Sequence, residues 1–205
     1  SGLIQQAIGV EPVSFEDYID DDGRGYGPYK IKCTMWREGK KVILDWEGTD
    51  PQAVGSINFY LNENMLKMFW GVYMIMVFDP EILFNDGFYD LVDVRIPQGT
   101  LLKPNFPAAL SCRTHALGRI FDTFAALLGQ KNPDFLAAAG FSSSPHFMYS
   151  GTDSRGEWYQ LYQIGFGGIP ARPHGDGPDG HSMWPSFTNV PQEYLEAYFP
   201  LRIEK

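Results

Sequence analysis

Hydrophobic and polar positions change rhythm several times along this chain, and each change marks an element. Tyr29 to Trp36 and Lys41 to Glu47 alternate apolar and polar residues around Arg37-Glu38-Gly39-Lys40, the pattern of a β-hairpin. Gly48, Asp50 and Pro51 end its second strand. Asn62 or Asn64 supplies a helix N-cap, and apolar residues then run almost unbroken to Phe78, before Asp79-Pro80. A helix apolar on nearly every side belongs in a core or between subunits, and in a chain of this size it predicts a self-associating surface. Leu91 to Ile96 reads as a further strand, after which Pro97, Gly99, Pro104 and Pro107 force an extended connection. His115 to Leu128 carries the clearest helical stripe, Leu117, Ile120, Phe121, Phe124 and Leu128, with Gly129 as its stop.

Elsewhere the pattern is weaker. Ser1 to Gly9 reads as the end of a helix and Leu201 to Lys205 as a strand, so both ends look cut. Phe15 to Tyr29 reads as a turn-rich acidic loop around Asp20-Asp21-Asp22-Gly23, a solvated turn. Met148-Tyr149 and Trp158 to Ile164 read as short strands around the turn Asp153-Ser154-Arg155-Gly156, and Gln192 to Phe199 as a short helix capped by Asn189-Val190-Pro191. Between Gln163 and Pro191 stand six glycines and five prolines, well above average usage, so a long functional or interface-forming loop is expected there. The fold class expected is α+β: mixed β-sheet segments, a few packed helices and a long Gly/Pro-rich loop, within a larger multi-domain subunit. Three regions follow: 1–62 around the hairpin, 62–129 as a helical and strand core, and 130–205 with short strands and the Gly/Pro-rich loop.

Composition narrows the classes. A hydrophobic content of 44% with 20% charged residues is that of a globular chain. The net charge of −9 gives no basic face for nucleic acid. The longest apolar run, Met68 to Phe78, is too short to cross a bilayer, and the start lacks the features of a signal peptide. Two isolated cysteines, Cys33 and Cys112, suit buried thiols in a reducing cytoplasm rather than a disulfide framework.

Candidate chemistry is sparse. Cys112, in Ser111-Cys112-Arg113-Thr114-His115 before a helix, has neighbours that would activate a thiolate, although catalytic Cys/His pairs are usually distant in sequence. A calcium loop at Asp20 to Asp22 fails because Tyr18 and Tyr29 stand where acidic ligands are needed. Gly165-Phe166-Gly167-Gly168 matches neither nucleotide-binding glycine pattern, and Pro170 and Pro173 disrupt the helix that should follow. His174, Asp176, Asp179 and His181 place four potential metal ligands within eight residues, but such residues among glycines more often satisfy turns. His146 has no evident partner, and no Gly-x-Ser-x-Gly elbow is present.

Several ordered motifs carry a resemblance. Asp45-Trp46-Glu47-Gly48-Thr49-Asp50-Pro51-Gln52 with Gly55-Ser56-Ile57-Asn58 resembles the Asp-Phe-Thr-Gly-Thr-x-Pro-Gln…Gly-x-x-Asn stretch of the hydantoinase B/5-oxoprolinase family. Val94 to Thr100 with Asn105-Phe106-Pro107-Ala108-Ala109 is similar to its Pro-x-Gly-Ser…Asn-x-Pro-x-Ala segment. Asp179-Gly180-His181-Ser182, Thr188 to Pro191 and Glu193…Glu196-Ala197-Tyr198-Phe199-Pro200-Leu201 resemble the family's ending. The resemblance covers nearly the whole chain from about residue 15 and implies part of a B-type subunit. With an ATP-binding A-type partner, such a subunit opens a cyclic amide of the hydantoin or 5-oxoproline type. Relatives carboxylate ketones on the same scaffold, and a non-catalytic assembly segment is a third possibility. It also implies that ATP and magnesium bind the partner, and that any divalent metal ion sits in an N-terminal part of the subunit with no counterpart here. The chain's partners would be that A-type subunit, the remainder of its own subunit and a small-molecule substrate. This chain alone is expected to be inactive. Trp46-Glu47 stands where Phe-Thr is commoner, placing an acid beside Asp45 and pointing to an atypical substrate. For substrate or interface contacts the residues expected are Arg113 and His115 at a helix start, with Arg172, His174 and His181 from the Gly/Pro-rich loop.

Overall fold

The hairpin sits at the centre of a four-stranded sheet. The computed structural model describes residues 2–77, 81, 84–140, 145–165, 167–168, 170–177 and 189–204. β2 (Tyr29–Glu38) and β3 (Lys41–Asp45) pair antiparallel across the turn at Gly39, whose φ of 59° suits glycine. Along β2, Ile31, Cys33 and Met35 are buried and their alternates are not, so one face is apolar. β3 buries Val42, Ile43 and Leu44 in succession, as a strand covered on both faces does. β4 (Val92–Arg95) runs parallel to β3, reached through α2 (Glu63–Val77), because a parallel pair needs a long crossover. Regions 1–62 and 62–129 thereby share one sheet.

The fourth strand corrects an expectation. Residues Val13–Ile19 form β1, paired along its whole length with β2, where a loop from Phe15 was expected. β1 is an edge strand that fully buries only Ile19 and carries Glu16 and Asp17, so its alternation has no clear apolar face. The terminal residues Leu201 to Glu204 form no strand.

α3 (Thr114–Gly129) lies across β1 and β2, and α2 packs beside β4. The two helices meet through aromatic rings. Trp70 stands edge-on to Phe124 at 5.0 Å, Phe69 meets Phe121 at 6.1 Å, and Tyr73 stacks on Phe121 at 6.0 Å. Asn62 caps α2 by accepting from the Met65 amide at 2.7 Å, as expected. Most of α2 is covered by the core, leaving Met65 and Val72 partly exposed. Gly129 is the last residue of α3 and not a left-handed stop. A Cβ there would lie 2.6 Å from Leu136, so the residue permits the close return of the chain at Pro133 to Leu136.

α1 (Gly2–Ala7) packs Ile4, Ala7 and Ile8 into the same core. A separate ribbon follows: β5 (His146–Thr152) pairs antiparallel with β6 (Trp158–Ile164). Tyr159 of β6 meets Phe199, just after α4 (Gln192–Tyr198), at 6.4 Å. No side chain caps α4, whose N-cap is Pro191. Among the described residues no helix is long and apolar enough to cross a membrane.

Candidate functional site

Three loops converge where β1, β3 and β4 end and α3 begins. They are residues 20–28, 46–61 and 96–113, and they meet there because β4 runs parallel to β3 and both run opposite to β2. Buried side chains fasten each loop to the next. Asn58 is fully buried; its Oδ1 accepts from the Ala53 amide at 2.7 Å, and its Nδ2 is shared among the carbonyls of Ala53, Gly55 and Ala109 at 2.9 to 3.2 Å. The Cys112 amide donates to the Ser56 carbonyl at 2.8 Å. Gln52 exchanges hydrogen bonds with the backbone of Asn105, and Gln98 donates to Asn105 Oδ1 at 2.8 Å. Thr49 Oγ1 donates to the Lys32 carbonyl and accepts from the Lys32 amide, while Asp50 accepts from the Lys30 amide at 2.8 Å.

Asp22 is the knot of the acidic loop, and the expected solvated turn is corrected at this residue. It is 4% exposed and accepts from the amides of Arg24, Tyr26 and Gly55 and from the Tyr29 hydroxyl. Burial alone would raise its carboxyl, but those four hydrogen bonds outweigh burial and hold it below the ordinary carboxylate value. Gly55 is required here by space: a Cβ would lie 2.2 Å from the Asp22 carbonyl oxygen. Asp20 and Asp21 remain exposed.

The first two family-like motifs of the sequence are therefore fastenings of this end. Trp46 is fully buried and stands edge-on to Phe124 at 6.0 Å, so its difference from Phe is one of core packing. Glu47 is exposed, with its amide donating to Asp45 Oδ1 at 3.0 Å. The fastened loops also present large apolar side chains outward, Phe106 at 98% exposed together with Tyr26, Val54 and Leu110, among exposed Asp20, Asp21, Arg24 and Glu47.

Of the residues expected to form a site, two lie at this end. Arg113 is exposed and is the N-cap of α3, without a side-chain hydrogen bond to the helix. His115, two residues on in the first turn, is half-buried. Burial, together with the neighbouring charges of His146 and Arg119, lowers its pKa against the opposing pull of Asp21, so the ring is neutral at pH 7. His146 is in turn held by Tyr162, whose hydroxyl lies 2.5 Å from Nδ1. Cys112 is only partly buried, whereas Cys33 is fully buried, and burial pushes its thiol well up.

Arg172 and His174 lie elsewhere. Ala138 donates to the Ala171 carbonyl, Arg172 and Gly175 close a tight turn, and His174 Nε2 lies 3.3 Å from Asp134 Oδ1. Asp134 follows the far end of α3, about 20 Å along the helix axis from His115. The stretch after β6 thus straps along α3 and carries its first two candidate residues away from the helix start. Asp179 and His181 lie outside the described residues. Among the described residues no group of three or more His, Cys, Asp or Glu side chains could hold a metal ion.

Two structural clusters escaped the sequence reading. Arg119 bridges Asp17 of β1 at 3.0 Å and Asp122 at 2.9 Å, tying α3 to the sheet edge. Burial raises the Asp122 carboxyl, with the Gly140 amide and Arg119 pulling the other way. Only the i,i+3 spacing of Arg119 and Asp122 was visible in sequence. The His146–Tyr162 pair depends on strand register and left no local signal.

Comparison with known proteins agrees with the motifs. The model of the hydantoinase B/oxoprolinase family matches residues 3–205. The B-type subunit of a putative D-/L-hydantoinase from Pseudomonas sp. (strain NS671) is 25% identical over 196 residues, covering 93% of this chain and 33% of that protein. A 5-oxoprolinase, PfmaA, from Pestalotiopsis fici is 30% identical over 113 residues, 55% of this chain and 8% of that protein. Among solved structures, the ATP-dependent caprolactamase from Pseudomonas jessenii superposes with a TM-score of 0.78 at 22% identity, over 97% of this chain and 35% of that one. A nucleotide-free acetone carboxylase gives 0.75 at 17% identity, over 96% and 28%. The chain spans about a third of the length of the first of these relatives. By the family match over nearly its whole length, the chain belongs to the hydantoinase B/oxoprolinase family.

Proposed function

We propose that this chain is part of the B-type subunit of a cytoplasmic ATP-dependent amidohydrolase that opens a cyclic amide of the hydantoin or 5-oxoproline type. The observation that carries this reading is the family match across residues 3–205. In this reading an ATP-binding A-type subunit is the partner, and magnesium accompanies the nucleotide there. ATP supplies the phosphoryl group that activates the amide carbonyl. A divalent metal ion, in this reading, belongs to a part of the subunit outside these 205 residues.

The residues assigned to substrate are Arg113 and His115. Arg113 brings an exposed guanidinium to the start of α3, where the helix dipole also favours negative charge, and so suits an anionic oxygen. His115, neutral at pH 7, can accept a proton from an attacking water and, as the imidazolium so formed, pass it to a leaving nitrogen. Rigid loops surround both, which is what positioning of a reacting group requires. Arg172 and His174, at the other end of α3, are assigned to contacts with the partner, and His181 keeps its expected role in substrate or interface contacts.

A ketone carboxylase is the second reading, since the same fold occurs in an acetone carboxylase. A non-catalytic assembly segment is the third. ATP turnover by the intact complex separates them. Dependence on a hydantoin or 5-oxoproline is the expected outcome; dependence on ketone plus bicarbonate favours the second reading. Inactivity with both and intact assembly favours the third. His115→Asn and Arg113→Ala should each reduce turnover with assembly unchanged, and wild-type turnover of both would remove these residues from the site.

A further inference from the structure

One face of the β5–β6 ribbon has the composition of a permanent interface, with little against it among the described residues. Register places Met148 opposite Tyr162, His146 opposite Ile164 and Thr152 opposite Trp158, all on the same side. Met148 and Trp158 are 68% and 67% exposed, and Tyr162 and Ile164 are exposed as well. The two remaining positions on this face, Ser150 and Gln160, are also uncharged, so it carries no Asp, Glu, Lys or Arg. A sheet face made for water normally carries such residues, whereas Trp, Tyr and Met with depleted charge mark the centre of an interface. The opposite face is covered in part: Leu161 is buried and Tyr159 meets Phe199, while Phe147 and Tyr149 on it stay exposed.

The edges point the same way. Among the described residues neither β5 nor β6 has a second neighbour, and neither strand contains a lysine or proline to protect an open edge. A two-stranded ribbon with only partial cover on one face is marginal in water. By contrast β1, the outer strand of the main sheet, carries Glu16 and Asp17. The hydrogen bond between Tyr162 and His146 lies on the uncovered face and holds two of its rings in place.

We propose that another segment of the same polypeptide, outside these 205 residues, packs permanently on the ribbon face formed by Met148, Trp158, Tyr162 and Ile164. The occupant follows from length and composition. This chain fills 33% of the hydantoinase subunit it matches and 35% of the superposed caprolactamase chain, so proteins of this kind carry twice as much further polypeptide. A charge-free face with an exposed tryptophan fits an obligate contact better than a transient one. The inference is independent of the reaction proposed above.

The test uses the full-length subunit with Met148→Cys, and Arg155→Cys in the exposed β5–β6 turn as the reference. Alkylation by iodoacetamide is followed site by site by peptide mass. The thiol introduced at position 148 should react at least about tenfold more slowly than the turn reference, as a contact that opens only rarely would require. Equal rates overturn the proposal. Slowing that appears only at concentrations where light scattering shows a dimer assigns the face to a second copy, and slowing only on addition of the companion subunit assigns it to that partner. Either result overturns it too. Oxidative footprinting of Met148 and Trp158 in the wild-type subunit gives the same readout without a substitution: protection of both supports the proposal, and free oxidation of both sinks it.

Discussion

Residues 13–129 and residues 146–198 are both rich in aromatic and strand-forming residues, yet they use them in opposite ways. In the first region Trp46, Trp70 and Phe124 are fully buried between the sheet and two helices. In the second, only Leu161 and Leu195 are buried among the described residues, while Met148, Trp158, Tyr162, Tyr194 and Tyr198 face outward. The difference lies in partners, not in propensity. β2 has a strand on each side and α3 packed on it, whereas among the described residues β5 and β6 have only each other as strand neighbours. Hydrophobic residues stabilise a ribbon only when something covers them. The first region covers its large apolar side chains; the second leaves several of them exposed.

Breaking the fastenings of the first region should have the largest effect. Asn58→Leu leaves up to four buried backbone groups without a partner and should cost at least about 3 kcal/mol, read as a shift in the urea midpoint followed by circular dichroism. An unchanged midpoint would mean that the three loops are not held through this amide. Gly55→Ala forces a Cβ against the Asp22 backbone and should cost about 2 kcal/mol. A matched loss in Asp22→Asn, without additivity in the double variant, would show that the two residues form one unit.

Acid should weaken the same end. The folded pKa of His115 is lowered from 6.5, so the unfolded chain binds its proton more readily. Stability present above pH 6.5 is therefore lost as pH falls through the folded value. Asp22 behaves alike at lower pH: its contribution is present above 3.8 and lost as pH falls through its depressed folded value. His115→Asn should flatten the decline that starts just below pH 6.5 and leave the lower one in place, measured by urea titrations across pH. The smallest effect belongs to the ribbon. Trp158→Gln in the 205-residue chain should change stability by less than about 0.5 kcal/mol, since its ring has little cover there. A larger loss would show that the ribbon is more tightly built into the first region than its exposure indicates.

Much of the first region was legible because its signals are local. The alternation of β2, the Asn62 cap of α2 and the Leu117 to Leu128 stripe of α3 each depend on near neighbours. β1 was missed because an edge strand need not show a buried face, and Gly129 was misread because a close approach and a left-handed stop call for the same residue. At the candidate site, the motif residues Gln52, Gly55, Asn58 and Asn105 stood out in sequence, but their work as fastenings did not. Asn58 bonds to Ala109 across 51 positions, and Gly55 to Asp22 across 33.

The α+β class, most of the elements and the family were legible along the chain, since periodicity, caps and ordered motifs are written there, as was the shared helix start of Arg113 and His115. Chain packing was needed to place His174 beside Asp134 at the other end of α3. It alone also decided that Asp22 is a buried acceptor while Asp20 and Asp21 stay in water. Those outcomes depend on which distant segments meet, and side-chain burial and charge environment follow from that meeting and from no property of the residues alone.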